Sequence, residues 1–347
     1  MTKAKKYAQA GVDIAAGDAA SKIAAGFAQT TFAGRKGRIG KPVKLSGGFA
    51  GALDFGGFLI TACDDTVGTK ISVAEATGKF ETLGYDLLAM VADDAVCLGA
   101  EVVAVSNTIE CPRVQPQKIK ALLKGLARAC REQKIVIPGG EIAEIGKSIN
   151  EYAWGAHATG ILEKKKLIDG SKIRAGDLVI ALRENGLRCN GFTLARAILR
   201  KKFGATWHRK RFGKKTWGEL LLTPSKVYHA AILALVGRFG EKRKVNVKGI
   251  VHVTGGGILG NLPRIFRQKS LGARLDNLWP IPSFAAELIK LGKVSTKEAR
   301  EVWNLGNGML IIVTPKDTAK TLQVLKKNKV AARIAGEITS TGKIEFS

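Results

Sequence analysis

Asp64-Asp65-Thr66-Val67-Gly68-Thr69-Lys70 is the stretch from which the rest of this chain is read. The residues before it, Phe55 to Cys63, are mostly apolar and read as a buried strand. The two acids therefore fall where a strand gives way to a loop. Carboxylates at such a point can hold a divalent cation, and Gly68, Thr69 and Lys70 suit a phosphate. Mg²⁺ is usually held by one or two carboxylates together with substrate phosphates, which makes the stretch a nucleotide-site candidate. The competing reading is a solvated turn, since Asp is common in turns through its own backbone hydrogen bonds.

Outward from this point, strand-like and helix-like segments alternate to the end of the chain, which predicts an α/β (α+β) protein. Lys79 to Leu98 reads as a helix, Glu101 to Ile109 as a strand and Gln115 to Gln133 as an amphipathic helix. Ile135 to Ile137 runs into the turn Gly139-Gly140, and Tyr152 to Leu162 is another strand. The polar segment Glu163 to Lys172 divides the chain into 1–165 and 166–347. After it come a strand at Asp177–Leu182, helices at Gly191–Lys202 and Thr223–Arg238, and a strand at Gly249–Thr254. A helix near Leu259–Phe266, strands at Gly308–Val313 and Arg333–Thr339, and a helix at Asp317–Asn328 complete the series.

With 347 residues, 46% of them hydrophobic, the chain can build two domains with their own cores. No apolar run reaches the length of a membrane span. The basic opening Met1 to Tyr7 has no apolar region behind it, and the five cysteines show no metal-ligand spacing. Both features predict a cytoplasmic protein with reduced thiols. The formal charge of +27 is unusual for a metabolic enzyme. Clustered Lys and Arg can bind phosphate backbones, and Trp207 and Trp217 flank one basic run, leaving room for a stacking surface. No nucleic-acid motif accompanies these runs, so a solvated basic surface is the preferred reading and a nucleic-acid partner is not.

Three further groups of residues carry chemical potential. Asp93 and Asp94 lie within the first strong helix, with Asp86 one face away, and acids among apolar neighbours are costly to bury unless paired or bound to a cation. Glu141 and Glu144 follow the Gly139-Gly140 turn, where a backbone can approach a ligand closely. Asn185 to Gly191 and Thr254-Gly255-Gly256-Gly257 each join a strand to a helix, and a helix N-terminus favours an anion. Arg188 and Asn190 would add side-chain donors in the first of these loops.

These elements, in this order, resemble the AIR synthetase (phosphoribosylformylglycinamidine cyclo-ligase) family. The resemblance opens at Tyr7-Ala8-Gln9-Ala10-Gly11-Val12-Asp13-Ile14 and continues through Gly47-Gly48-Phe49, Asp65 to Lys70 and Gly84 to Met90. It then takes in Gly139-Gly140-Glu141 with Ala143-Glu144, Asn190-Gly191, Leu222-Thr223-Pro224 and His252 to Gly257 with Asn261 to Arg264. The resemblance implies a two-domain AIR-synthetase-like fold, with an N-terminal domain that forms an inter-subunit β-barrel in a homodimer and a C-terminal α/β sandwich. It implies an ATP-dependent, Mg²⁺-dependent ligase of purine biosynthesis that closes formylglycinamidine ribonucleotide to aminoimidazole ribonucleotide. Asp65, Asp94 and Glu141 would be catalytic, with Asp65 and Asp94 on the metal. Asp65, Gly68, Thr69, Lys70, Gly139 and Gly140 would bind the nucleotide. Arg188, Asn190, Gly191, Thr254, Gly255 and Gly256 would bind the ribonucleotide substrate.

The chain departs from the family pattern in places. Cys63-Asp64-Asp65-Thr66 stands for the family's Gly-Thr-Asp-Gly, and Asp93-Asp94 for Asn-Asp. Arg188 stands for a His, and Ile145-Gly146-Lys147-Ser148 replaces the family's continuation after its Gly-Gly-Glu motif. Metal and phosphate capacity survive these changes, while the acceptor substrate is less constrained. A paralogous phosphoryl-transfer enzyme, or a basic non-catalytic protein retaining the fold, are the alternatives.

Overall fold

Alternating burial along the strand that ends in the opening stretch sets the first sheet. In this computed structural model residues 6–45 and 48–346 are described; Met1 to Lys5, Ser46, Gly47 and Ser347 lie outside the described residues. β1 (Lys41–Pro42), β2 (Gly51–Asp54), β3 (Phe58–Thr66), β4 (Glu101–Cys111), β5 (Gly140–Glu144) and β6 (Ala153–Glu163) pair in the order β1-β2-β3-β6-β4-β5. Every pairing is antiparallel except β4 with β5. Leu59, Thr61 and Cys63 of β3 face the core at period two, as a half-covered antiparallel strand requires.

The helix Leu83–Cys97 packs on β3 and β6, and the helix Pro116–Gln133 packs on it in turn. The two helices meet without side chains between them at two glycines. A Cβ on Gly84 would come within 2.0 Å of Leu126 N, and one on Gly125 within 1.8 Å of the Glu81 carbonyl.

The second half builds its own sheet from β7 (Leu178–Arg183), β10 (Val247–His252), β11 (Gly272–Leu275), β12 (Asn307–Val313), β13 (Ala332–Thr339) and β14 (Ile344–Phe346). Its order is β10-β12-β7-β13-β11-β14. A small hairpin of β8 (Arg211–Phe212) and β9 (Lys215–Thr216) stands apart. Every residue of β12 is buried, which marks it as a central strand covered on both faces. The helices His229–Val236 and Thr318–Lys327 pack against each other over this half's core.

Several elements differ from the sequence expectation. The helix expected over Thr223–Arg238 begins only at His229, because the Asp93 carboxylate accepts hydrogen bonds from the N–H groups of Tyr228 (2.9 Å) and His229 (3.1 Å). Gly139-Gly140 is not a turn; Gly140 starts the edge strand β5. A Cβ there would sit 2.6 Å from the Asn107 carbonyl of β4, so the glycine serves strand approach. The helix Ile14–Thr30, capped by the Asp13 carboxylate on Ala15 and Ala16 N–H, had no strong periodic signal, and Asp18 to Thr30 are all exposed. Trp207 and Trp217 are core residues, 5% and 1% exposed, which removes the stacking surface considered for them. All five cysteines are buried and unpaired, and no helix among the described residues is long and apolar enough to cross a membrane.

Candidate active site

β3 carries Asp65 one residue from its end, and the helix Leu83–Cys97, packed across that end, carries Asp94. Burial pushes Asp65 up to about 7; the hydrogen bond from Thr66 N–H opposes the rise and the charge of Asp94 adds to it. Burial likewise pushes Asp94 up to about 7, against the pull of Arg264 and Arg188. The two carboxylates are half-buried, each with one close hydrogen-bond partner, Thr66 N–H at 2.6 Å for Asp65 and His252 Nδ1 at 2.7 Å for Asp94. Hard oxygen donors whose negative charge the protein leaves under-compensated fit a divalent cation such as Mg²⁺. Among the described residues no group of three or more His, Cys, Asp or Glu side chains forms that could hold a metal ion.

The neighbouring acids have other duties. Asp64 is exposed beside His157, 3.0 Å away. Asp86 is fully buried and binds Lys70 Nζ (2.7 Å) and the backbone N–H of Ser225 (2.9 Å). Lys70, expected on a phosphate, is itself fully buried, and its ammonium also donates to the Thr223 carbonyl at 2.8 Å. Its charge is taken up inside the protein. Asp93 holds the Tyr228 and His229 amides on one oxygen and Arg188 Nη2, at 2.7 Å, on the other.

Arg188 is the clearest correction. Expected to face a ligand anion, it is fully buried, with a positive φ of 56° that turns its side chain inward. Nη1 donates to Glu184 (3.1 Å) and the Lys226 carbonyl (3.0 Å), and Nη2 to Asp93. Nη2 also lies 2.7 Å from His252 Nε2. His252 Nδ1 in turn lies 2.7 Å from Asp94 Oδ1. His252 is fully buried, and burial together with the Arg188 charge holds its pKa well below the usual imidazole range. From the sequence His252 was noted only as a residue ahead of a glycine turn; a histidine closing the apolar run Ile250-Val251 was the available signal.

The strand-to-helix loops do converge. Thr69 Oγ1 is 3.0 Å from Thr193 Oγ1 in the first turn of the helix Phe192–Phe203. The Asn190 side-chain oxygen lies 3.3 Å from where a Cβ on Gly255 would stand, and Asn190 Nδ2 is buried with no partner. Gly68, Thr69, Asn190, Gly191, Thr254, Gly255 and Gly256 thus lie on neighbouring loops, near the end of β3. Beside them a cleft of about 420 Å³ opens between Thr66, Gly68, Thr69, Thr108, Glu110 and Glu151. Glu110 and Glu151 had not been singled out from the sequence. Glu141 is in register with Thr108 of the cleft wall, and the ladder continues through Gly155 to Thr66. Glu141 is therefore about three strand spacings, on the order of 14 Å along the sheet, from the end of β3 that carries Asp65.

Comparison with known proteins identifies the family. The family described as AIR synthase related protein matches through its N-terminal domain at residues 47–162 and its C-terminal domain at residues 174–347. The phosphoribosylformylglycinamidine cyclo-ligase of Thermococcus kodakarensis is 38% identical over 322 residues, covering 93% of this chain and 92% of that one. The protein of the same name from Sorangium cellulosum is 36% identical over 348 residues, covering 98% and 97%. Among solved structures, AaThiL complexed with AMPPCP and TMP superposes with a TM-score of 0.60 at 12% identity, covering 88% of each chain.

Proposed function

The chain belongs to the AIR synthase related family, and from that premise we propose that it is a phosphoribosylformylglycinamidine cyclo-ligase of purine biosynthesis. The observation that carries the reading to the residues is the under-compensated pair Asp65 and Asp94 at the mouth of convergent glycine loops. ATP supplies the phosphoryl group that turns the formyl oxygen of the substrate into a leaving group, and Mg²⁺ neutralises phosphate charge. Asp65 and Asp94 hold the metal. The backbone of Gly68 and Thr69 lines the nucleotide side of the cleft. Asn190, Gly191 and Thr254 to Gly256 receive the ribonucleotide phosphate on backbone and amide donors, without help from Arg188. Catalysis then rests on positioning and charge neutralisation, which suits a site rich in Asp, Gly and backbone donors and poor in nucleophiles.

The protein acts as a cytoplasmic homodimer on this reading. Val114, Val136 and Ile142 lie exposed on and beside the open β5 edge, and Ile23 and Phe27 stand out from the helix Ile14–Thr30. A second copy closing the sheet into an inter-subunit barrel would cover such an edge.

The direct test is incubation of the purified protein with formylglycinamidine ribonucleotide and Mg-ATP, following ADP and aminoimidazole formation together. ADP release that needs a different phosphate acceptor would move the protein to another activity of the same fold. No turnover of either compound would overturn the enzyme reading.

A further inference from the structure

The buried chain Asp94–His252–Arg188 has a direction that the hydrogen-bonding chemistry of its members fixes. A guanidinium has only donors. Arg188 Nη2 sits 2.7 Å from His252 Nε2, so Nε2 must be the acceptor and carry no proton. Arg188 can spare that hydrogen: of the two on Nη2, one is directed to Asp93 Oδ2 at 2.7 Å, and the Ala89 carbonyl at 3.3 Å is a longer contact. Arg188 is itself anchored by Glu184 and the Lys226 carbonyl on Nη1. The single proton of a neutral imidazole then resides on Nδ1, where it points at Asp94 Oδ1, 2.7 Å away. With His252 fully buried, the ring has no water to exchange this arrangement for another.

We propose that His252 is a positioning residue whose Nδ1–H, locked by Arg188, holds one oxygen of Asp94 and aims the other at the metal position. The inference rests on the assignment of Asp94 to the metal. It also gives Arg188 a role where the resemblance places a His: its permanent positive charge, set between Asp93 and Glu184, forces one tautomer of His252. A neutral residue at 188 could donate or accept, and would not impose that choice.

Two measurements test it. In the ligand-free wild-type protein, ¹⁵N spectra of the His252 ring distinguish the protonated from the unprotonated nitrogen, and Nδ1–H with bare Nε2 is expected. An Nε2–H tautomer would overturn the inference at its root, whatever the metal does. Calorimetric titration with Mg-ATP then compares His252→Asn, His252→Gln and Asp94→Asn. Asparagine places its amide N–H where Nδ1–H stands and should keep Mg-ATP affinity within about threefold of wild type. Glutamine carries its amide toward Arg188 instead and should lose at least tenfold. Equal losses in the two His252 variants would reduce His252 to a packing role and overturn the proposal. Unchanged affinity in Asp94→Asn would overturn the metal assignment itself, an outcome separate from the tautomer result.

Discussion

Asp65 and Asp94 carry charges that burial and mutual repulsion oppose, and that tension is what a bound cation would relieve. Asp65→Asn or Asp94→Asn should lower turnover about 100-fold or more and weaken Mg-ATP binding in calorimetry, while the melting temperature stays level or rises. His229 gives a separate prediction for stability. It is fully buried, its Nε2 accepts the Val102 N–H at 2.9 Å, and burial lowers its pKa to about 3. The unfolded chain takes up a proton near pH 6.5 and the folded one does not. Stability from this group is therefore complete above about pH 6.5 and declines by about 1.4 kcal/mol per pH unit between there and about pH 3. Denaturant titrations at pH 7 and pH 5 should differ by about 2 kcal/mol from this source, and His229→Gln should remove most of that difference. Asp65, Asp94 and the glycine loops were legible as candidates because their signals are local: an acid at a strand end, an acid among the apolar residues of a helix, donors at helix starts. Arg188 and Lys70 were not. Their buried partners come from 95 and 16 residues away, and a loop arginine or lysine looks the same in sequence whether it meets a ligand or a carboxylate of its own chain.

At the scale of elements, close backbone approach explains glycines that sequence reading assigned to ligands or ignored. Gly84→Ala would drive a methyl into the backbone of the facing helix and Gly125→Ala into the Glu81 carbonyl just before the other, and each should cost about 3 kcal/mol or more by denaturant titration. Gly140→Ala would press on the Asn107 carbonyl and loosen β5 from β4, with a smaller loss of about 1–3 kcal/mol. Either class keeping wild-type stability would mean that the elements can slide apart freely. The strands and long helices were readable from periodicity, because a half-covered sheet and an amphipathic helix impose their repeats on the sequence. Ends were not, since the start of the helix at His229 is set by Asp93 rather than by a neighbour in the chain.

For the whole molecule, an open sheet edge with exposed apolar side chains predicts a homodimer in sedimentation equilibrium at micromolar concentration. A monomer there would remove the inter-subunit barrel. The charge of +27 sets a background that salt should screen, so dimerisation should strengthen as ionic strength rises. The two sheets, finally, are joined by more than the segment Glu163 to Lys172. Lys70 reaches Thr223, Asp86 reaches Ser225, Asp93 meets Arg188, and His229 caps an amide of β4. Breaking a buried pair by taking away one partner costs about 3–5 kcal/mol, and here one partner of most pairs belongs to each half. A protease nick in that segment should leave the folded protein whole and melting in a single transition. A gene split at the same place should behave oppositely: each half alone would precipitate with orphaned charges in its core, and only co-expression would return a soluble, active pair.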